Sequence, residues 1–193
     1  MNMLSLDPKQ QVILESAWVA FSTYGFRKTS MDDIARGANM SRPALYLHYK
    51  NKDAIFRALV EGYYVQAVQA IETALGGDGP VQDRLTRAFA AQGGPAMEAM
   101  MNSPHGLELI DTGLHVAGEI VEDGEALLRR TYADWLSREA EAGAVTLPEL
   151  ADSIAYAMCT AHKGVKMTSK SFPDYTERLR VMALIFAQAL APA

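Results

Sequence analysis

Only Ala38, Asn39 and Met40 separate Gly37, which ends one short helical pattern, from Ser41, which opens the next. Each pattern begins on a capping residue. Ser30 has Asp33 three positions on, so a hydroxyl and a carboxylate can satisfy N–H groups at a helix start; Ser41 does the same ahead of Pro43. A three-residue link forces the two helices to cross in a tight turn. It also asks for a residue that accepts positive φ, and Asn39, the best choice after glycine, is there.

The surroundings extend this unit. Asp7, Pro8 and Gln10 supply an N-cap, a first-position proline and a capping-box partner, and Ile13, Leu14, Ala17 and Phe21 follow at helical spacing until Gly25 stops the helix near Tyr24. The third helix is expected from Arg42 to about Tyr49, with Leu45 and Tyr49 inward and Arg42, Ala44, Tyr46 and His48 outward. Asn51 caps a long fourth helix whose stripe of Ile55, Phe56, Leu59, Val60, Tyr63 and Tyr64 runs towards Leu75, until the residues from Gly76 to Pro80 break it. Further helices are expected over 81–92, from Pro95 to Met101, over 106–117 and 122–142, from a Thr146 cap to about Thr168, and from Phe172 to near Leu190. Strand signals are scarce, so the chain reads as all-α with about nine helices.

Charge says where a partner would sit. Residues 1–52 carry seven basic and four acidic groups, +3, and the whole chain is −5, which leaves −8 for residues 53–193. A basic head on an acidic body is what a chain needs if only its head meets a polyanion. Composition excludes other classes: 49% hydrophobic and 21% charged residues describe neither disorder nor a fibrous repeat, and no apolar run approaches the roughly 20 residues of a membrane span. The N-terminus shows no secretory signal and Cys159 has no disulfide partner, so a soluble cytoplasmic protein is expected.

A helix-turn-helix with a polar, basic outer face suits the DNA major groove. Arg42 can reach guanine O6 and N7, while Pro43 and Ala44 let the helix sink and Ala44 can touch a thymine methyl. Thr29, Ser30, Ser41, Tyr46, His48 and Lys52 are candidate phosphate contacts, the two serines through the helix N-termini they cap.

These residues carry a family resemblance. Ala17, Phe21, Gly25, Thr29, Ile34, Ala35, Ala38, Ser41, Leu45, Tyr46, His48, Tyr49 and Lys52 stand at matching spacing, and the stretch resembles the N-terminal DNA-binding domain of the TetR family of transcriptional regulators. It departs from the family at Asn39 for the usual turn glycine, Met40 for valine and Pro43 for a frequent glycine. The resemblance implies a DNA-binding domain at 1–52 and an effector-binding and dimerisation domain at 53–193. It implies a homodimeric, ligand-responsive repressor on a palindromic double-stranded operator, with an unknown small-molecule effector, no cofactor, no catalysis and no membrane.

The remaining sites are read from residue type. Apolar residues cover most of the last helix's circumference, with Leu179, Met182, Phe186 and Leu190 as one stripe and Val181, Leu184 and Ile185 as another; Ala155, Ala157 and Ala161 on the preceding helix allow close approach. The first stripe and the three alanines are the expected dimer interface. Met97, Met100, Met101, His115, Tyr132, Trp135 and His162 are candidate effector-pocket residues, because methionine adapts to a ligand and aromatics offer flat contact area. The alternative function is a small helical metal-binding protein or enzyme using Cys159 and His162, three apart on one helix.

Overall fold

The computed structural model describes residues 7–94 and 96–192, and of Ala96 and Leu107 the backbone alone. Pro95, the expected start of a short helix, lies outside the described residues. Ten helices follow in order: α1 (Pro8–Tyr24), α2 (Met31–Gly37), α3 (Arg42–Tyr46), α4 (Lys52–Gly76), α5 (Val81–Gly93), α6 (Ala96–Asn102), α7 (Gly106–Val116), α8 (Gly118–Glu141), α9 (Ala151–Thr168) and α10 (Phe172–Ala189). No strand occurs among the described residues, and no helix among them is long and apolar enough to cross a membrane.

The capping residues do what their spacing requires. Asp7 and Gln10 close a box at α1, and Gly25, at φ 81°, stops it. Ser30 and Asp33 close a second box at α2. Asn39 takes φ 53° in the link, Ser41 Oγ accepts the Ala44 N–H at 3.3 Å, and Asn51 Oδ1 accepts the Ala54 N–H at 2.8 Å where α4 begins.

Three boundaries differ from expectation. Helix α3 ends at Tyr46, because the N–H groups of Leu47 and His48 bond to carbonyls three residues back and tighten the last turn before Tyr49 enters the core. Helix α8 starts earlier, at Gly118, since nothing between there and Glu122 breaks a helix. Helix α9 starts later, at Ala151: the Thr146 N–H donates to the Leu190 carbonyl at 2.9 Å, so Thr146 is held at the end of α10 and caps nothing.

The chain divides into two compact units, one holding residues up to Val65 together with Glu98–Gly124, the other Gln66–Met97 and the residues from Glu125 onward. In the first, Ile13, Ala17 and Phe21 of α1, Ile34 and Ala35 of α2, Leu45 of α3, Ile55 and Phe56 of α4, and Leu109 of α7 share one core. Phe21, Phe26 and Phe56 meet with ring centroids 5.1–5.6 Å apart. Each such fully buried side chain contributes about 1.5–3 kcal/mol, which anchors the short α2 and α3 that could not hold their shape alone. In the second unit α10 packs on α5 and α9, with Leu85, Phe89, Tyr132, Trp135, Met158, Tyr175 and Leu179 buried. Arg84 there makes a two-pronged pair with Glu139, at 2.9 and 2.6 Å, and lies over the Trp135 ring.

Candidate nucleic-acid interface

Leu45, wholly buried, and Tyr49, nearly so, pin α3 to the core and fix which way its other side chains point. Ser41, Arg42, Pro43 and Tyr46 are exposed, Ala44 and His48 half-buried. Arg42 donates to Asp32 Oδ2 at 3.0 Å and to the Tyr46 hydroxyl at 3.3 Å, and its guanidinium lies 5.5 Å from the Tyr46 ring centroid. That hydrogen bond to Tyr46, and then the charge of Asp32, raise its pKa above the ordinary value. The Arg42 side chain is thus held on α2 by a solvent-exposed pair, the weak class of ion pair.

Three expected phosphate contacts are committed elsewhere. Lys52 Nζ donates to the carbonyls of Phe26 at 2.8 Å, Arg27 at 3.1 Å and Thr29 at 3.1 Å, and sits 4.6 Å from the Phe26 ring centroid. Three protons meet three acceptors, so Lys52 clasps the α1–α2 loop in this structure. Thr29 is 2% exposed, and its hydroxyl donates to the Gly25 carbonyl at 2.7 Å. Ser30 Oγ donates to Asp33 Oδ2 at 2.6 Å and accepts the Asp33 N–H at 3.2 Å. These bonds from Ser30 hold the Asp33 carboxyl below its ordinary range, so a negative charge already occupies the start of α2 where a phosphate was expected. The first turn of α3 carries no acidic residue, and the Ser41 end stays open to a phosphate.

The model for bacterial regulatory proteins of the tetR family matches residues 13–59, from Ile13 in α1 to Leu59 in α4. Residues 13–59 carry the DNA-binding domain of the TetR family. Among curated relatives, the uncharacterized HTH-type transcriptional regulator YhgD of Bacillus subtilis is 34% identical over 92 residues, 46% of each chain. The HTH-type transcriptional repressor Rv1474c of Mycobacterium tuberculosis is 25% identical over 147 residues, 75% of this chain and 66% of that one. The chain therefore spans less than half the length of YhgD and just under two thirds of Rv1474c. The fold is that of Escherichia coli NemR in its reduced form, with TM-score 0.75 and 15% identity over 96% of this chain and 99% of that one. It is also that of SmeT in complex with triclosan, with TM-score 0.69 and 18% identity over 95% and 91%.

The compact unit that holds the matched residues reaches beyond them, which local motif reading did not foresee. The Glu108 carboxylate accepts the Arg27 N–H at 3.2 Å and lies 3.1 Å from His105 Nδ1; that backbone bond, before His105, holds Glu108 below its ordinary pKa. Arg57 donates to the Val116 carbonyl at 2.8 Å and pairs with Glu119. So α7 is tied to the α1–α2 loop at its start and to α4 at its end. Asp32 and Leu47, the latter 86% exposed just past α3, are two further residues of the α2–α3 surface absent from the expected set.

The effector candidates divide between the two units. Met97, Tyr132, Trp135 and His162 are buried in the second unit, whereas Met100, Met101 and His115 belong to the first, with His115 exposed and 3.5 Å from Asp111. Within the second unit His162 Nε2 lies 3.1 Å from the Phe89 carbonyl and 3.0 Å from the Tyr175 hydroxyl, Tyr132 donates to Gln92 Oε1 at 3.1 Å, and the buried Trp135 Nε1 has no hydrogen-bond partner among the described residues.

The metal alternative finds no donor set. His162 is occupied as described, and burial pushes the Cys159 thiol up to about 12, so it stays a thiol at neutral pH. Among the described residues no three His, Cys, Asp or Glu side chains converge.

The expected dimer stripe also needs correcting. Ala155, Leu179, Met182 and Leu190 are buried in their own protomer and Phe186 packs on Phe89, with ring centroids 6.3 Å apart. Of that set Ala157 is exposed, and Ala161 and Phe186 are half-buried. The exposed apolar surface of α9 and α10 includes Tyr156, Ala157, Met167, Val181 and Ile185. Helix α10 is two-faced: its Leu179 side fills the core of its own protomer, and its Val181 and Ile185 side is left over.

Proposed function

We propose that this protein is a homodimeric transcriptional repressor that binds a palindromic double-stranded operator through two copies of α2–α3 and releases it when a small molecule binds. The observation that carries the reading is the outward face of α3, where Arg42, Ala44, Tyr46 and His48 stand on a helix held from beneath by Leu45 and Tyr49. Ser41, Arg42, Pro43, Ala44, Tyr46 and His48 are the contacts. Thr29, Ser30 and Lys52 support them from within the fold. The functional division stays at 52/53, with recognition before it and dimerisation and effector binding after it. The protein acts in the cytoplasm and carries no catalytic activity of its own.

The dimer forms through Tyr156, Ala157, Val181 and Ile185, whose exposure in one protomer supports that assignment. Met97, Tyr132, Trp135 and His162 are the residues nearest the effector, and the unpaired Trp135 N–H is the donor it would meet. SmeT's complex with triclosan supports a small apolar effector. Reading heads must match half-sites about 34 Å apart or a multiple of it, so a small change in their separation suffices for release.

Selection of duplexes from a random pool by the purified protein tests this. A palindromic sequence should emerge, bound with an affinity that falls steeply as salt rises. Arg42→Ala should relax preference at one position of each half-site, costing about 1–3 kcal/mol there. A pool that yields no sequence, or salt-independent binding, would overturn the reading.

A further inference from the structure

Leu47 is, at 86%, the most exposed large hydrophobic side chain among the described residues. The core has no use for it. It follows α3 in helical conformation, φ −68° and ψ −24°, and so stands one turn beyond Pro43, which is also exposed, and beside half-buried Ala44. The three residues form an apolar strip along α3. Arg42 and Tyr46, bonded to one another, form a polar strip next to it.

Resting on the operator-binding reading, we propose that the strip of Pro43, Ala44 and Leu47 recognises the 5-methyl group of thymine, with Leu47 as the main determinant. In the major groove every base edge presents hydrogen-bond donors or acceptors, and the thymine methyl is the apolar exception. A leucine held in water beside a guanidinium and a phenol gains nothing from phosphate or sugar. It gains by covering a methyl, roughly the transfer free energy of one carbon group, which is about a fourfold change in affinity. Helix propensity does not account for Leu47, because it stands just past the last residue of a five-residue helix. Nor is the strip large enough for a protein partner, which needs about 800 Å² on each side. The head therefore reads a 5-methylpyrimidine beside the base held by Arg42, and thymine is told from uracil by one carbon.

The test uses the full-length protein and the duplex it selects. Thymines of one half-site are replaced one at a time by uracil, which keeps every hydrogen bond and removes the methyl. At one position or two, binding should weaken about fourfold. Leu47→Ala should fold as the parent does, keep the parent's salt dependence, and bind the thymine and uracil duplexes alike at the position Leu47 covers. If the parent is indifferent to uracil everywhere, or Leu47→Ala keeps all of the parent's discrimination, the proposal fails while the operator reading stands. If no duplex is selected, both fail together.

Discussion

One ammonium group holds three backbone oxygens at Lys52, and hydrogen bonds to a charged donor are worth more than neutral ones because the carbonyl dipoles face a full charge. Lys52→Met keeps the stem against Phe26 and removes the charge, so it should lower stability by about 2–3 kcal/mol, read as a fall in denaturant midpoint at unchanged m-value. The slope of log Kd against log salt should stay that of the parent, whereas a lost phosphate contact would reduce it by about one. Asp32→Asn acts in the opposite direction. It releases Arg42 from the surface pair and removes a negative charge beside the groove, so stability should change by less than about 1 kcal/mol while titrations show tighter operator binding. The outward placement of Arg42 was legible in the sequence because it follows from helix position alone. Lys52 was not: its partners lie more than twenty positions back in the chain, and a lysine opening a helix next to a basic motif has the same local pattern whether it meets phosphate or carbonyl. The same holds for Thr29, whose acceptors on Gly25 and Ala20 exist only once α1 has ended.

At the scale of elements, the contrast between caps and faces shows what spacing contains. Caps at Asp7, Ser30, Ser41 and Asn51 lie within three residues of the groups they bond, so spacing was enough, whereas Thr146 is held by the distant Leu190 carbonyl and caps no helix. Which side of a helix apolar all round meets the core depends on α5 and α9, which spacing does not contain. The two faces should respond differently. Leu179→Ala removes wholly buried carbons and should cost about 2–5 kcal/mol of stability, whereas Ile185→Arg puts a charge where the side chain is 59% exposed. Ile185→Arg should keep its helical circular dichroism and bring the mass by light scattering from twice 21.1 kDa down to 21.1 kDa. Helix α8 offers a third case: a Cβ at Gly124 would run into the Tyr64 ring, so Gly124→Ala should destabilise by about 1–3 kcal/mol through overpacking, seen as a lower melting temperature.

For the molecule as a whole, the group that couples stability to pH between neutrality and mild acid is His162, one of the candidate effector contacts. Burial, reinforced by the charge of Lys166, lowers its pKa from 6.5 to about 4, against a smaller raising effect of the Phe89 carbonyl. A depressed value means that the unfolded chain takes up a proton through the interval where the folded one does not. Stability is therefore fully present above 6.5 and declines as pH falls towards 4, by about 3 kcal/mol in all. Carboxylates do not obscure most of this window, because Asp33, Glu108, Asp174 and Glu177 are held below ordinary values of 3.8 and 4.5 by their own partners. Denaturant titrations from pH 7 to pH 4.5 should show the parent losing stability, and His162→Gln, which keeps a polar group facing Tyr175 but cannot titrate, should flatten the curve. A parent whose stability does not change over that interval would mean that His162 is protonated in the native core. Local spacing carries no sign of this role, since a histidine three residues from a cysteine looks like half a metal site until Phe89 and Tyr175 are seen beside its nitrogen. The same burial would make an effector that opened the core admit a proton as well as a ligand, so effector affinity measured across this window should rise as pH falls if His162 becomes solvated on binding, and stay level if it remains sealed.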